Sequence, residues 1–311
     1  MTKVYVGMSG GVDSSLTAAL LVEQGYEVTG VYMKNWTQDL PGMRCPWADD
    51  LADAKRVAVQ LGIDFKVFDF ENEYRHKVVD YIIDEYKLGR TPNPDIMCNQ
   101  EVKFKLFLDA ALEDGADMIA TGHYARVSHS DDGSHLLQAV DTNKDQTYFL
   151  YRVTDKALDK TLFPLGEYTK PQVREMAKER GLYTAVKKES QGICFVGQIG
   201  IREFLSQYVE QKAGPIIDKQ TGKILGQHDG AIFYTIGQRH GLDIGGGLPY
   251  YVVGKDMDKN RNNRICDMDT ENLGNNSYTL DAQKQATIAK WKSAASFIEN
   301  TFCSLMVNQV I

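Results

Sequence analysis

A loop of glycine and serine, Ser9-Gly10-Gly11-Val12-Asp13-Ser14-Ser15, joins the apolar run Val4–Val6 to the amphipathic stretch Ser14–Gln24. The run reads as a buried strand. The stretch reads as a helix carrying Leu16, Ala19 and Leu20 on one face. Few connections constrain a chain more. Glycines let backbone approach phosphate oxygens, and the N-terminus of the next helix offers open N–H groups and the positive end of its dipole. Ser9, Ser14 and Ser15 add hydroxyl donors. No Gly-Lys-Ser/Thr follows, so the loop is not a Walker A loop. Asp13 beside a phosphate would repel it, which gives it a natural place bridging Mg²⁺. The plain alternative is a tight strand-to-helix turn capped by Ser14.

The pattern continues as alternating strands and helices. Val28–Met33, Phe65–Phe70 and Asp117–Ala120 read as strands. Asp49–Leu61, Glu73–Lys87 and Val102–Glu113 read as helices. Such alternation predicts an α/β fold, a doubly wound parallel sheet covered by helices. After Tyr124 the pattern changes. A hairpin is expected over Arg126–Val140, turning at Asp131-Asp132-Gly133, and helices over Pro171–Arg180 and Ile201–Val209. A second hairpin is expected over Gly214–Gly226 and a strand over Tyr250–Val253. The expected domains are 1–200, catalytic; 201–259, small and mostly β; and 260–311, an atypical, divergent or truncated tail.

Of the five cysteines, Cys45, Cys98, Cys194, Cys266 and Cys303, none forms a C-x-x-C pair. That spacing argues against a disulfide scaffold and a four-cysteine metal site. With no long apolar run and no signal-peptide pattern at the start, no membrane partner and a cytoplasmic location are expected. The net charge of −7 weighs mildly against nucleic acid, although a local basic patch can sit on an acidic chain.

Two cysteines draw attention. Cys98 closes the stiff polar loop Gly89-Arg90-Thr91-Pro92-Asn93-Pro94-Asp95-Ile96-Met97. Asn99 is expected to cap the next helix, leaving Cys98 at an N-terminus that favours thiolate. Asp95, three residues away, is placed to move a proton. Cys194 follows the basic turn Lys187-Lys188 within Gly192-Ile193-Cys194-Phe195; by its local context a buried structural cysteine is the better reading. Gly122-His123-Tyr124 follows the fourth strand, at the sheet edge where ligands bind. Lys144-Asp145-Gln146 reads as a polar turn.

Taken together, Gly7-Met8-Ser9-Gly10-Gly11-Val12-Asp13-Ser14-Ser15, Met33-Lys34-Asn35-Trp36, the Gly89–Asp95 string, Ala120-Thr121-Gly122-His123-Tyr124, Lys144-Asp145-Gln146, Gly192-Ile193-Cys194-Phe195 and Thr235-Ile236-Gly237-Gln238-Arg239 resemble the tRNA-specific 2-thiouridylase family, within the PP-loop ATP pyrophosphatases. The resemblance spans residues 3 to 258 or so. It implies an adenine nucleotide alpha hydrolase-like sheet and a tRNA-uridine 2-sulfurtransferase. ATP with Mg²⁺ would be held by Gly7, Met8, Ser9, Gly10, Gly11, Val12, Asp13, Ser14, Met33 and Gly122. Asn93, Pro94 and Asp95 would meet the target base; His123, Lys144, Asp145 and Gln146 would meet tRNA. Cys98 would be the nucleophile and Cys194 the persulfide carrier, with Asp95 as acid or base. Cys98 would free the sulfur by forming a disulfide with Cys194 or by releasing hydrosulfide. The implied substrate is the wobble uridine of tRNA(Lys), tRNA(Glu) and tRNA(Gln), turned out into the pocket. The implied partner is a cysteine desulfurase or sulfur-relay protein.

After Asp258 the resemblance stops. Asn260-Arg261-Asn262-Asn263-Arg264-Ile265-Cys266 is expected to interrupt a strand, and Ala282–Phe297 to form a polar helix. The alternatives carried forward are an inactive ATP- or RNA-binding remnant of such an enzyme, another PP-loop synthetase, and an iron–sulfur-dependent thiolase.

Overall fold

The computed structural model describes residues 1–39, 45–188, 200–242, 244, 250–258 and, for backbone alone, 261–266. The chain divides into two compact units. The first comprises Met1–Asp84 and Pro92–Leu205; the second comprises Glu85–Thr91 and the residues from Ser206 on.

The first unit is built on a parallel sheet. Its elements run β1 (Lys3–Gly7), α1 (Val12–Glu23), β2 (Glu27–Lys34), α2 (Trp47–Leu61) and β3 (Asp64–Asp69). Then come α3 (Glu71–Tyr74), a π-helical turn (Arg75–Val79) and α4 (Asp80–Lys87), whose end enters the second unit. A second helical run follows, α5 (Pro94–Met97), a π-helical stretch (Cys98–Leu106) and α6 (Phe107–Glu113). β4 (Met118–Ala120), the hairpin β5 (Ala125–Ser130) and β6 (Gly133–Gln138), α7 (Asp155–Asp159), β7 (Thr161–Leu162), α8 (Lys170–Glu179) and α9 (Ile201–Leu205) complete it.

The sheet order is β3-β2-β1-β4-β7, with every pairing parallel. Parallel neighbours need long crossovers, which the helices supply. β1 is apolar without alternation because both its faces are covered. Val4, Val6 and Met8 face Ala18 and Leu21 of α1 and Ala54 and Val57 of α2. On the other face a Cβ at Gly7 would meet Phe107 of α6 at 3.5 Å, and Phe107 stacks edge-on with Phe68 at 6.3 Å. The chain steps outward from β1 to β3, then returns across β1 to β4. The carboxyl ends of β1 and β4 are therefore the switch point of the sheet, where open α/β sheets bind ligands.

The expected doubly wound sheet is present, with differences in detail. β7 is two residues long, too short for any periodic signal. The helix expected from Val102 begins at Pro94 instead, and both helical runs contain π-helical turns, where each N–H bonds five residues back. A register change of that kind leaves no mark in a spacing pattern.

The second unit holds a four-stranded sheet in the order β10-β11-β8-β9, from β8 (Gly214–Asp218), β9 (Ile224–His228), β10 (Tyr250–Asp256) and β11 (Arg261–Cys266). Asp218 fixes the expected β8–β9 turn by accepting from the N–H groups of Gln220 and Thr221 at 2.9 and 2.8 Å. Arg261–Cys266 was expected to break a strand and instead forms one. Its asparagines are poor strand formers, but it is laddered on both sides, antiparallel to β10 and parallel to β8. The helix expected over Ala282–Phe297 lies outside the described residues. Among the described residues, no helix is long and apolar enough to cross a membrane.

Candidate active site

The phosphate loop leaves β1 at Gly7. Met8 is buried, and its N–H bonds Val31 O at 2.8 Å, tying the loop's base to β2. Gly10 lies at φ +74°, and a Cβ there would stand 2.3 Å from Asp50 O, so this position requires glycine. Gly11 is the N-cap of α1 and brings no side chain over the first helical N–H groups. Ser14 does not cap the helix, contrary to the plain alternative. The Ser14 and Ser15 hydroxyls donate back to Gly11 O at 3.2 and 2.7 Å, and Ser14 Oγ also accepts from Ser9 N at 3.2 Å. Val12 is core, so it serves the loop through its backbone alone. A Cβ on Gly122 would fall 2.9 Å from Ser14 N, and one on Gly7 would fall 2.9 Å from Met33 Cε. Ser9, Gly10, Gly11, Asp13 and Ser14 thus form a tight loop at the switch point, with Met33 against Gly7 at its base, and Gly7, Gly10 and Gly122 leave no room for a Cβ. Nucleotide phosphates fit such a loop.

Asp13 holds a partner that sequence reading missed. Lys170 Nζ donates to both its carboxylate oxygens at 2.8 Å, and Tyr124 Oη donates to Oδ1 at 2.9 Å. Lys170 is 8% exposed, an unusual place for a lysine unless it is paired. It opens α8, where Thr169 and Gln172 form a capping box and Pro171 fixes the first turn. Its own N–H bonds Asp141 Oδ2 at 2.8 Å. A lysine inside a Thr-Lys-Pro helix start was the available signal. A magnesium ion bridged by Asp13 does not fit this arrangement, because both carboxylate oxygens are engaged by Lys170. Among the described residues, no group of three or more His, Cys, Asp or Glu side chains is set to hold a metal. Lys170 supplies the positive charge beside the loop.

Cys98 lies apart from the phosphate loop, on the second helical run. Asn93, not Asn99, is the cap: its side chain accepts from Asp95 N at 3.0 Å and Ile96 N at 3.4 Å, and Pro94 sits in the first turn. Asn99 instead donates to Phe149 O at 3.1 Å. Cys98 therefore lies inside a continuous helical run, 5% exposed. Burial pushes its thiol up from the usual range, opposed by the charge of Lys103; the lowered thiol expected from a helix N-terminus is not found. Burial likewise raises the Asp95 carboxyl, again opposed by Lys103.

His123 is buried, its Nδ1 2.8 Å from Thr121 Oγ1, its ring 5.6 Å from Phe104 and 6.2 Å from Phe163. Desolvation, then Lys103, hold it well below its ordinary range, so it stands neutral. His123 links the phosphate loop to the helical run of Cys98. Its neighbour Gly122 touches the phosphate loop, and its ring packs on the helical run that carries Cys98.

Lys144, Asp145 and Gln146 form the expected turn, and the Asp145 and Gln146 side chains help to hold it. Asp145 accepts from Ala139 N and Thr147 Oγ1 at 2.9 and 2.6 Å, and Gln146 Oε1 accepts from Tyr124 N at 2.9 Å. Cys194 lies outside the described residues. The chain just before it is anchored, since Lys187 Nζ bonds Asp50 and Asp53 of α2 at 2.8 and 2.7 Å.

Residues 2–198 match a family model described as the tRNA methyl transferase HUP domain, and residues 202–262 match the tRNA methyl transferase PRC-barrel domain. A tRNA-specific 2-thiouridylase MnmA of Bacillus cytotoxicus is 53% identical over 260 residues, 83% of this chain and 70% of that protein. One from Bacillus licheniformis is 54% identical over the same spans. A solved 4-thiouridine synthetase–RNA complex with bound ATP covers 66% of this chain and 50% of its own, at 19% identity and a TM-score of 0.44, too loose a likeness to weigh. With both matched regions in order along one chain, and more than half of the residues identical across the aligned 83% of it, the chain belongs to the tRNA-specific 2-thiouridylase family.

Proposed function

We propose that this protein replaces the C2 oxygen of a tRNA uridine with sulfur, using ATP to activate that oxygen. The observation that carries the proposal is the link between a cysteine-bearing helical run and the phosphate loop. Buried Cys98 and half-buried Asp95 share one helical run, which is joined through Gly122-His123 to a glycine-lined phosphate loop. Family membership supports uridine as the target. The catalytic work is assigned to residues 1–200, with 201–259 a small β-rich domain and 260–311 a divergent tail.

A uracil C2 carbonyl is a poor electrophile, because the ring nitrogens delocalise onto it. ATP, when bound, supplies an AMP group to that oxygen and releases pyrophosphate, which makes the oxygen a leaving group. The phosphate loop orients this transfer with N–H groups at the start of α1, and Lys170 places positive charge beside it. Met33 lies against Gly7 where the nucleotide would pass. Asn93 and Pro94 shape the entrance to Asp95, and Lys144 with its turn adds contacts for RNA.

Cys194, as a persulfide, forms the new bond from its outer sulfur to C2, and AMP departs with the former C2 oxygen. The Cys98 thiolate then attacks the inner sulfur. The sulfur–sulfur bond to the base breaks with both electrons going to the base, and a Cys98–Cys194 disulfide is left. A dithiol reductant restores the two thiols. Asp95 takes the Cys98 proton. The natural sulfur donor is a cysteine desulfurase or its relay protein, and the natural substrates are tRNA(Lys), tRNA(Glu) and tRNA(Gln).

Nucleoside mass spectrometry on unmodified tRNA, incubated with the protein, ATP, magnesium and a persulfide donor, tests the proposal. Two-thiouridine at the wobble position is expected. A methylated base, or ATP binding with no thiolated base, overturns the proposal; the latter is the behaviour of an inactive remnant.

Asp95 gives a prediction with a definite sign. A carboxyl whose folded pKa is raised adds stability that is full below its unfolded value, near pH 4, and lost as pH rises through the folded value. Asp95→Asn is therefore expected to raise the Tm at pH 7, to show no gain near pH 4, and to slow thiolation by about 10²–10⁴-fold. A Tm that falls equally at both pH values contradicts this.

A further inference from the structure

Cys98 opens a nine-residue π-helical stretch, Cys98–Leu106, and this register decides what stands over its sulfur. In an α-helix of 3.6 residues per turn, five residues advance by about 500°, so Lys103 would point about 140° away from Cys98. In a π-helix each N–H bonds the carbonyl five residues back, so residue i+5 returns to within about 50° of residue i, on the same side of the helix. The stretch is held in this register at its end, where Phe107 N bonds Val102 O. Lys103, half-buried, is thereby turned toward the side of the helix that carries Cys98.

We infer that Lys103 is a positioning residue that stabilises the Cys98 thiolate, and that the π-helical register exists in part to bring it there. The inference rests on Cys98 being the thiol that acts. Asp95 lies one turn before Cys98 on the same helical run, and His123, just after β4, packs on Phe104 of that run and is bonded to Thr121. The Lys103 charge is felt at all three, favouring ionised Asp95 and Cys98 and disfavouring protonated His123. Burial and the Asp95 charge both oppose a thiolate at Cys98, and Lys103 is the one charge acting for it among the described residues. Lys105, two residues on, is exposed and pairs with Glu101 at 3.2 Å.

The π-helical stretch thus separates two neighbouring lysines, one turned to the thiol and one to solvent. Placing a cation over a buried thiol lets Cys98 wait as a protonated, unreactive group and ionise once Asp95 accepts its proton.

The test titrates Cys98 directly. The full chain is labelled at the cysteine β-carbons, and the Cys98 resonance is assigned by its loss in Cys98→Ser. Its chemical shift is followed against pH in the wild type, Lys103→Met, Lys103→Gln, Lys103→Arg and Lys105→Met, with neither tRNA nor ATP present. In Lys103→Met the midpoint is expected to rise by about one pH unit, a tenfold loss of thiolate at a given pH. Lys103→Gln is expected to do the same should the methionine variant fail to fold. Lys103→Arg should restore most of the shift, and Lys105→Met should leave the midpoint in place. An unchanged midpoint in a folded Lys103→Met or Lys103→Gln protein overturns the inference, as does an equal shift in Lys105→Met. Since thiolation is not read, this result is independent of the proposed activity; that activity fails separately if the wild-type protein forms no 2-thiouridine.

Discussion

Cys98→Ser is expected to lower uridine thiolation by about 10³-fold or more while sparing nucleotide use, because a hydroxyl cannot form the disulfide with Cys194 that frees the sulfur on the base. Cys98 is 5% exposed, so the serine hydroxyl must find a partner or stand unsatisfied. That costs about 1–3 kcal/mol and a few degrees of Tm, far too little to explain the loss of rate. ATP–pyrophosphate exchange in the presence of tRNA should persist, since the phosphate loop lies at the end of β1 and gains nothing from the Cys98 sulfur. A Cys98→Ser protein that thiolates at the wild-type rate would remove Cys98 from the mechanism. One that loses both thiolation and pyrophosphate exchange would make Cys98 a structural residue.

Lys170→Met is expected to damage both stability and nucleotide use. The lysine side chain is 10% exposed and its partner Asp13 is 32% exposed, so removing the cation strands a carboxylate that water only partly reaches. Breaking a fully buried pair costs about 3–5 kcal/mol; with Asp13 a third exposed, about 2–3 kcal/mol is expected. For a unit of this size that is a fall of about 5–10 °C in Tm. Asp13→Asn in the same chain removes the stranded charge, so the double variant should be more stable than Lys170→Met alone, a coupling readable from the four proteins. Nucleotide use should not return, since the charge beside the phosphate loop is still missing. Equal stability of the two variants would mean that the Asp13–Lys170 pair contributes nothing to the fold.

Local features were legible in the sequence, and features that depend on distant partners were not. The phosphate loop could be read because its glycines, its serines and the flanking strand and helix are contiguous. Gly10 at φ +74° is what a tight approach to α2 requires. Asp95 and Cys98 could be read as neighbours because one helical run carries both. Lys170 could not be tied to Asp13, since 157 residues separate them and α8 alone brings the lysine back to the sheet edge. The ionisation of Cys98 was read the wrong way round. Asn99 was expected to cap the helix, yet Asn93 caps it and the cysteine is swallowed by the run. Arg261–Cys266 shows the same limit, being a strand through its two neighbours and in spite of its own residues.

The most direct measurement follows the oxygen that leaves. A tRNA carrying heavy oxygen at C2 of the wobble uridine is incubated with the protein, ATP and a persulfide donor, and both the nucleosides and the AMP are weighed by mass spectrometry. Adenylation of that oxygen predicts one heavy oxygen in AMP for each 2-thiouridine formed. Thiolated base with unlabelled AMP, or a base that keeps its heavy oxygen while AMP and pyrophosphate accumulate, would contradict the account.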